Sequence, residues 1–419
     1  MLIALILAAI WGFASLPWHG ERPSEPPRVV ESARCEGPLS AGAAEVPFDL
    51  PSPAPIAGFA RLSWRSDGVR EPVAARALVL SARGCKIAVV SAEILLVPES
   101  LEAAVRARID PVGLTGLVIA ASHTHAGPGG YFQNVAFEAL GTAPYDPAVR
   151  DAIAGAIAEA IRRADAALAP ARVAFAAGEA PGLARSRSGG TPDSRLAVLR
   201  FDRPGKGAAP VAEIAVFAAH GTILGDSNRM IDGDWPGRFM AAGTHGTRLL
   251  LQGGVGDQSP AGAAAAAPET YARALSERVD SLRLGAPREN VALAYAAAEV
   301  ALPAPDPAVV PPLLRRAARN VAWDLLPAHA RVSAIRVGPV VLVAVPAEPV
   351  AAVASSWRGL VPGIALVVSL ADGYAGYVET ADRVLARTGE AERTYYGPDL
   401  AARLGAGVRA AAGAALGSR

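Results

Sequence analysis

The chain has 419 residues, of which 52% are hydrophobic and 19% are charged, and its formal net charge is +1. So large an apolar fraction excludes wholesale disorder and provides for a sizeable core. The near-neutral charge argues against a nucleic-acid partner, and the sequence indicates no protein partner.

The first 18 residues are almost wholly apolar and carry no charged side chain. They predict a signal peptide or an N-terminal membrane anchor, since the stretch is at the short limit for a bilayer span; a buried N-terminal helix is the alternative. Both main readings predict an exported protein that is periplasmic, secreted or tethered to the membrane by this segment. Residues 19–38 are charged and proline-bearing and predict a linker. One large domain is then expected over residues 39–419.

Strands and helices alternate after residue 39. Apolar runs at 77–80 and 87–90 predict strands, and residues 98–109 predict a helix with one apolar face. Asp146 is a good N-cap and Pro147 suits a first helical turn, which predicts a helix to about residue 167. Residues 268–282 and 398–415 predict two further helices. The alternation indicates the α/β fold class, with mixed β-sheets flanked by helices.

Two cysteines, Cys35 and Cys85, fit no metal-ligand spacing. They form one disulfide if the protein is exported, and otherwise they are two separate thiols.

A His-x-His pair follows the apolar run 117–120. His123 and His125 stand two residues apart and precede a Gly-Pro-Gly-Gly turn. On an extended backbone their side chains point to the same side, so that one can bind a metal while the other serves the substrate. A loop with two surface histidines is the alternative, because the bare pattern is weak.

Four more apolar runs end in residues of catalytic type. In open α/β sheets, ligands bind at the carboxyl ends of strands, so we expect these ends to meet in one cleft. Imidazole and carboxylate together suit Zn²⁺ better than Ca²⁺ or Mg²⁺. Each residue also has a structural reading, as a core histidine, a helix N-terminal acid, a turn residue or a half-buried aromatic. The residues are His220, Asp257, Ser259, Glu348, Tyr374 and Tyr377.

Taken together, the motifs resemble the neutral/alkaline (non-lysosomal) ceramidase family. The run Ser122-His-Thr-His-Ala-Gly-Pro-Gly-Gly-Tyr131 is the most specific of them. The shorter segments occur in the family's order: Ala219-His-Gly-Thr222, Gly256-Asp-Gln-Ser-Pro260, Pro346-Ala-Glu348, Tyr374-Ala-Gly-Tyr377 and Tyr396-Gly-Pro398.

The resemblance implies a zinc amidase that cleaves ceramide to a fatty acid and a sphingoid amine by attack of zinc-bound water. One Zn²⁺ per chain would be held by His123, His220, Glu348 and Tyr374. His125 would stand beside the metal and bond the substrate or the developing oxyanion. The remaining active-site residues would be Asp257, Ser259, Arg187 (with Arg185 as the alternative) and Tyr396, which would line the pocket. The substrate would be a lipid amide, met at a membrane surface.

Some positions depart from the family pattern. Gly221 replaces a Pro or Ser, Pro349 stands in place of a Phe, and a run of alanines fills 263–267. Two alternatives to a ceramide hydrolase therefore stay open: a zinc hydrolase of another small amide or ester, and a non-catalytic lipid- or partner-binding protein on the same fold. Either the zinc-bound water or Ser259 is the nucleophile, and the water is preferred.

Overall fold

The computed structural model describes residues 19–60, 65–306, 310 and 315–417. Its strands are β1 Arg28–Pro38, β2 Ser40–Pro47, β3 Gly68–Val69, β4 Ala74–Ala82, β5 Cys85–Ala92, β6 Gly116–Ala121, β7 Ala169–Pro170, β8 Arg172–Glu179, β9 Ala184–Ser186, β10 Arg195–Asp202, β11 Pro210–Phe217, β12 Met230–Ile231, β13 Thr247–Gln252, β14 Gln258–Pro260, β15 Asn290–Ala301, β16 His329–Val337, β17 Val340–Ala344, β18 Glu348–Pro349, β19 Ile364–Val368 and β20 Tyr377–Val378. Its α-helices are α1 Glu99–Ile109, α2 Val135–Phe137, α3 Pro147–Ala166, α4 Asp234–Ala241, α5 Pro268–Ser281, α6 Arg315–Leu325, α7 Ala351–Arg358, α8 Ala381–Ala386 and α9 Leu400–Leu416.

Three larger sheets enclose a common core. Their strand orders are β1-β15-β16-β17-β19, β13-β11-β10-β8 and β6-β5-β4-β2-β7. Each sheet turns one apolar face inward, where side chains such as Leu80, Phe201 and Tyr295 form one buried cluster. The opposite face of each sheet is covered by helices, with α1 and α3 on one sheet, α4 and α5 on the second, and α7 and α9 on the third. The predicted α/β class with mixed sheets and flanking helices is confirmed.

Each large sheet contains one parallel strand pair, and the candidate site residues follow the strands of these pairs. The pairs are β5/β6, β11/β13 and β17/β19. Hydrogen bonds join their ends across the sheet boundaries, for example from the Ser369 N–H to the Gln252 carbonyl and from the Gln252 side chain to the Ser122 carbonyl. The five strand ends singled out in the sequence therefore meet at one edge of the core.

The predicted linker is wrong for residues 28–38. These residues form β1, which pairs antiparallel with β15 along its length. It is an edge strand, and most of its side chains are exposed, which gives it the polar composition that a linker also has. Cys35 of β1 is bonded to Cys85 at the start of β5, so one disulfide joins two of the three large sheets.

The predicted localisation also needs correction. Residues 1–18, the proposed signal peptide or anchor, lie outside the described residues. Across the part of the chain that the structure describes, no helix is both long and apolar enough to cross a bilayer. A membrane-tethering segment is therefore not shown, and the predicted localisation is withdrawn.

Candidate metal centre

The His-x-His loop leaves β6 with an unusual backbone. His123 has a φ of 64°, a left-handed conformation that is uncommon for residues other than glycine. Hydrogen bonds from the Ser122 and His123 amides to the Ala92 and Ile94 carbonyls fix this turn. The structure thus over-determines a strained residue, which is a feature that clusters at functional sites.

His220 follows β11 and meets the loop through backbone contacts. The His125 N–H donates to the Gly221 carbonyl at 2.9 Å, and the Gly221 N–H donates to the His123 carbonyl at 3.2 Å. A Cβ on Gly221 would lie 2.7 Å from that carbonyl oxygen, so a larger residue would force the two segments apart. The departure from the family pattern at Gly221 therefore has a packing reason in this chain.

All three imidazoles are held in the same way. Their Nδ1 atoms lie 2.7–2.8 Å from backbone carbonyls, those of Leu95 for His123, Gly58 for His125 and Gln258 for His220. Because a carbonyl oxygen only accepts, each Nδ1 carries the hydrogen and each Nε2 presents a lone pair. The Nε2 atoms of His123 and His125 are 3.3 Å apart. This orientation by outer partners is typical of metal-binding histidines.

Glu348 completes the cluster from the loop after β17. Its Oε2 atom lies 3.2 Å from Nε2 of His123 and 3.4 Å from Nε2 of His220. This oxygen is buried and has no hydrogen-bond partner among the described residues, whereas Oε1 accepts a 2.7 Å bond from the Tyr374 hydroxyl. Four lone-pair atoms thus face one another in a buried space, an arrangement that a bound cation stabilises.

Tyr377, which was not among the predicted metal ligands, also contacts this cluster. Its hydroxyl lies 3.1 Å from Nε2 of His220 and 3.4 Å from Nη2 of Arg187. Tyr374, the predicted ligand, instead holds the Glu348 carboxylate. The tyrosine pair was visible in the sequence, but the intervening Gly376 has a φ of 81°, so the direction of each ring depends on a turn that the pattern does not encode.

The structure separates the two candidate arginines. Arg187 is half-buried; its Nη2 donates to the Gly256 carbonyl at 2.6 Å and its Nε lies 3.3 Å from Glu390. Arg185 is exposed on β9. Arg187 is therefore the arginine that lies beside the histidines.

Three predicted active-site residues have other surroundings. The Asp257 carboxylate accepts bonds from Ser186, Ser188, Gln258 and the Ala351 N–H, so it braces the neighbouring loops. Among the described residues, no hydrogen bond joins the Ser259 hydroxyl to a histidine. The Tyr396 hydroxyl, predicted to line the pocket, donates to the Pro327 carbonyl at 2.8 Å. Its neighbour Tyr395 packs instead against Phe137.

The electrostatics favour neutral imidazoles at His125 and His220. Burial, together with the neighbouring His123, lowers the pKa of His220 to about 4. Burial and the other two histidines likewise hold the pKa of His125 well below its usual value. Burial opposes ionisation of Glu348, but the attraction of His123 or His220 when either ring carries an added proton outweighs it and brings the pKa of that carboxyl well below its usual value. Neutral imidazoles and an ionised carboxylate are the forms that bind metals.

The ligand atoms of His123, His125 and His220 all lie within 4.8 Å of one another, so this group can hold a metal ion. His125, predicted to stand beside the metal, thus belongs to the same set of converging nitrogens.

Comparisons with known proteins agree with this geometry. Residues 52–242 match the family described as neutral/alkaline non-lysosomal ceramidase, N-terminal. Neutral ceramidase of Mycobacterium tuberculosis is 30% identical over 201 residues, covering 42% of this chain and 31% of that protein. Neutral ceramidase of Pseudomonas aeruginosa is 28% identical over 199 residues, covering 42% of this chain and 29% of that protein. The matched region therefore spans about a third of the curated relatives.

Two solved structures share the fold. The crystal structure of neutral ceramidase from Pseudomonas aeruginosa superposes with a TM-score of 0.77 at 19% identity, covering 91% of this chain and 75% of that chain. A structure described as ceramidase complexed with C2 gives 0.74 at 18% identity, with the same coverage. The resemblance predicted from the motifs is confirmed: residues 52–242 match the N-terminal model of the neutral/alkaline non-lysosomal ceramidase family, and the chain shares its fold with two solved ceramidase structures.

Proposed function

We propose that this protein is a zinc-dependent amide hydrolase that cleaves the N-acyl bond of ceramide or a related lipid amide. The observation that supports it most is the buried, unpartnered Oε2 of Glu348 beside the Nε2 atoms of His123 and His220. The family match and the relatives named neutral ceramidase supply the substrate class.

The donor set fits zinc. Two or three imidazole nitrogens with one carboxylate are ligands that Zn²⁺ accepts, and a catalytic zinc keeps one position open. His123, His220 and Glu348 would hold one ion per chain, with the Tyr377 or Tyr374 phenol as the fourth ligand. The geometry favours Tyr377, because its oxygen lies at His220 whereas the Tyr374 hydroxyl is bonded to Glu348. When bound, Zn²⁺ would polarise the amide carbonyl and acidify the attacking water.

His125 would handle the proton. Its Nδ1 hydrogen is committed to the Gly58 carbonyl, so Nε2 is able to accept a proton and not to donate one. It would take a proton from the attacking water and deliver it to the leaving amine, as a base and then an acid. This differs from the predicted oxyanion donor, since the neutral imidazole has no hydrogen on Nε2.

Arg187 would orient the Tyr377 hydroxyl and the carbonyl group of the substrate. It is held by the Gly256 carbonyl and Glu390, and it donates toward the Tyr377 hydroxyl. A fixed guanidinium beside the histidines can stabilise negative charge that develops on the carbonyl oxygen. We extend the proposed single catalytic domain to include β1, because that strand belongs to one of the three large sheets.

The test is fatty-acid release from a short-chain ceramide by the full chain reloaded with Zn²⁺, beside the His123→Ala variant. We expect release by the parent and none by the variant, with one zinc retained per parent chain. Zinc binding without ceramide cleavage, followed by turnover of short esters or acyl amino acids, would replace the substrate. No zinc and no turnover would favour the non-catalytic reading.

A further inference from the structure

Residues 19–23 pack on helix α6. The His19 ring stacks on Trp323 with centroids 4.6 Å apart, and the Arg22 guanidinium lies 4.6 Å from the same ring. Glu21 pairs with Arg319 at 3.0 Å, and Arg403 of α9 donates to the Pro23 carbonyl at 2.9 Å. We call His19–Pro23 the N-terminal strap.

Arg22 caps the C-terminal end of α6, although it is distant from that helix in sequence. The last carbonyls of a helix have no partner within it and attract a cation. Nη2 of Arg22 donates to the Trp323 carbonyl at 3.1 Å, and Nη1 donates to the Pro327 carbonyl at 2.8 Å, just beyond the end of α6. Arg22 is only 9% exposed, and both of these bonds are partly buried. The strap therefore fixes the C-terminal end of α6.

Asn134 holds the same helix end from the other side. Its Nδ2 donates to the Leu325 carbonyl at 2.7 Å, while its Oδ1 accepts from the Ala136 and Phe137 amides at the start of α2. One side chain thus ties the end of α6 to the short helix that presents Phe137. Both functions of the amide are used, so its position is set by both segments.

Phe137 connects this contact between α6 and α2 to the metal centre. It is 4% exposed and packs edge-on against Tyr374, with ring centroids 5.5 Å apart. The Tyr374 hydroxyl donates a hydrogen bond to Oε1 of Glu348, and this bond orients Oε2 toward the histidines. A displaced Phe137 would therefore free the ring that orients this carboxylate.

We propose that Arg22 and Asn134 are positioning residues for Glu348, acting through the end of α6, Phe137 and Tyr374. The link to metal binding rests on the proposed function, in which Glu348 is a ligand. The expected effect on the conformation of residues 374–378 does not depend on the proposed function. Outer contacts that fix a ligand contribute measurably to metal affinity even when they touch no metal.

The experiment uses Asn134→Asp, which keeps the Oδ1 acceptor at α2 but replaces the donor to Leu325 with a repelling oxygen. Arg22→Gln removes the cap, Arg22→Lys restores one donor, and Arg28→Gln is the control, because Arg28 forms an exposed ion pair with Glu299. Hydrogen exchange of the metal-free protein reports on residues 135–137 and 374–378. Chelator competition with Zn²⁺ alone reports on metal affinity.

We expect faster exchange in both segments for Asn134→Asp and Arg22→Gln, and a Zn²⁺ affinity weaker by roughly 3- to 30-fold. Arg22→Lys should lie between parent and Arg22→Gln, and Arg28→Gln should match the parent. Unchanged exchange at 374–378 in both variants would overturn the inference, even if thermal stability fell. Changed exchange with a parent that binds no Zn²⁺ would uphold the positioning path and reject the proposed metal function.

Discussion

Tyr374 donates a hydrogen bond to Oε1 of Glu348 at 2.7 Å, which leaves Oε2 facing His123 and His220. Removing this donor should let the carboxylate rotate. We predict that Tyr374→Phe weakens Zn²⁺ binding by roughly 10- to 100-fold, the usual cost of losing a partner that orients a ligand. Equilibrium dialysis against a chelator measures it. Tyr145→Phe, at a tyrosine beside Arg150, is the control; equal affinities in all three proteins would contradict the role of Tyr374.

Arg187 and Arg185 offer a matched pair. Arg187 contacts the Gly256 carbonyl and the Tyr377 hydroxyl beside the histidines, and Arg185 is exposed two residues earlier. We predict that Arg187→Ala lowers kcat/KM roughly 10- to 150-fold, the equivalent of about 1.5–3 kcal/mol for a charged hydrogen bond. Arg185→Ala should remain within about twofold of the parent. Steady-state kinetics on the substrate identified by the release assay would show it, and equal losses would contradict the assignment.

Ser259 tests the identity of the nucleophile. A serine nucleophile needs a base within hydrogen-bond reach, and none of the described residues provides its hydroxyl with such a bond. We predict that Ser259→Ala retains at least about a tenth of the parent's kcat. A loss on the order of 10⁶, as expected when a true nucleophile is removed, would instead show that the serine attacks the substrate.

The Cys35–Cys85 disulfide should contribute to the free energy of unfolding without affecting zinc binding at the metal centre. It closes a loop with a sequence separation of 50 residues, so its removal should lower the free energy of unfolding by roughly 2–4 kcal/mol. Cys85 begins β5, whose other end lies about 23 Å away beside the His-x-His loop. Urea unfolding of the Cys35→Ser, Cys85→Ser double variant measures the loss. Its zinc content should equal that of the parent, and a fall in zinc would show coupling to the site.

Asp234 should make stability depend on pH. Burial, with a smaller contribution from Asp232, raises the pKa of Asp234 from 3.8 to about 6. The folded chain then binds more protons than the unfolded chain between these values, so this stabilisation is full below about pH 4 and is lost as the pH rises to about 6. Asn tolerates the φ of 53° found here, so Asp234→Asn is a suitable reference.

Urea unfolding of both proteins between about pH 4 and pH 7 gives the comparison. The stability of the parent relative to Asp234→Asn should decrease across this window. A constant difference would show that Asp234 does not titrate there.

The sequence predicted those parts of the fold that local patterns determine. Asp146 caps the helix Pro147–Ala166 as expected, with its side chain accepting the Ala148 N–H at 3.0 Å. The strand ends at His123, His220 and Glu348 were identifiable because buried strands read as continuous apolar runs.

The sequence pattern does not encode the choice between near-equal neighbours. Tyr395 and Tyr396 are adjacent, yet only the packing of Phe137 and the carbonyl of Pro327 decide which ring points where. The Tyr374 hydroxyl contacts Glu348 and the Tyr377 hydroxyl contacts His220, and the turn at Gly376 sets these two directions. The sequence did not identify β1 as a strand, because β1 is exposed at the edge of its sheet. A polar sequence is compatible there with either an edge strand or a linker.

The proposed ligands of the metal follow strands of three different sheets: His123 comes after β6, His220 after β11 and Glu348 after β17. A chain that had formed each sheet but had not docked them together would possess every ligand and have no site. Retained zinc would then report completed tertiary assembly, and the metal content of a preparation would measure the fraction of its molecules that is correctly folded.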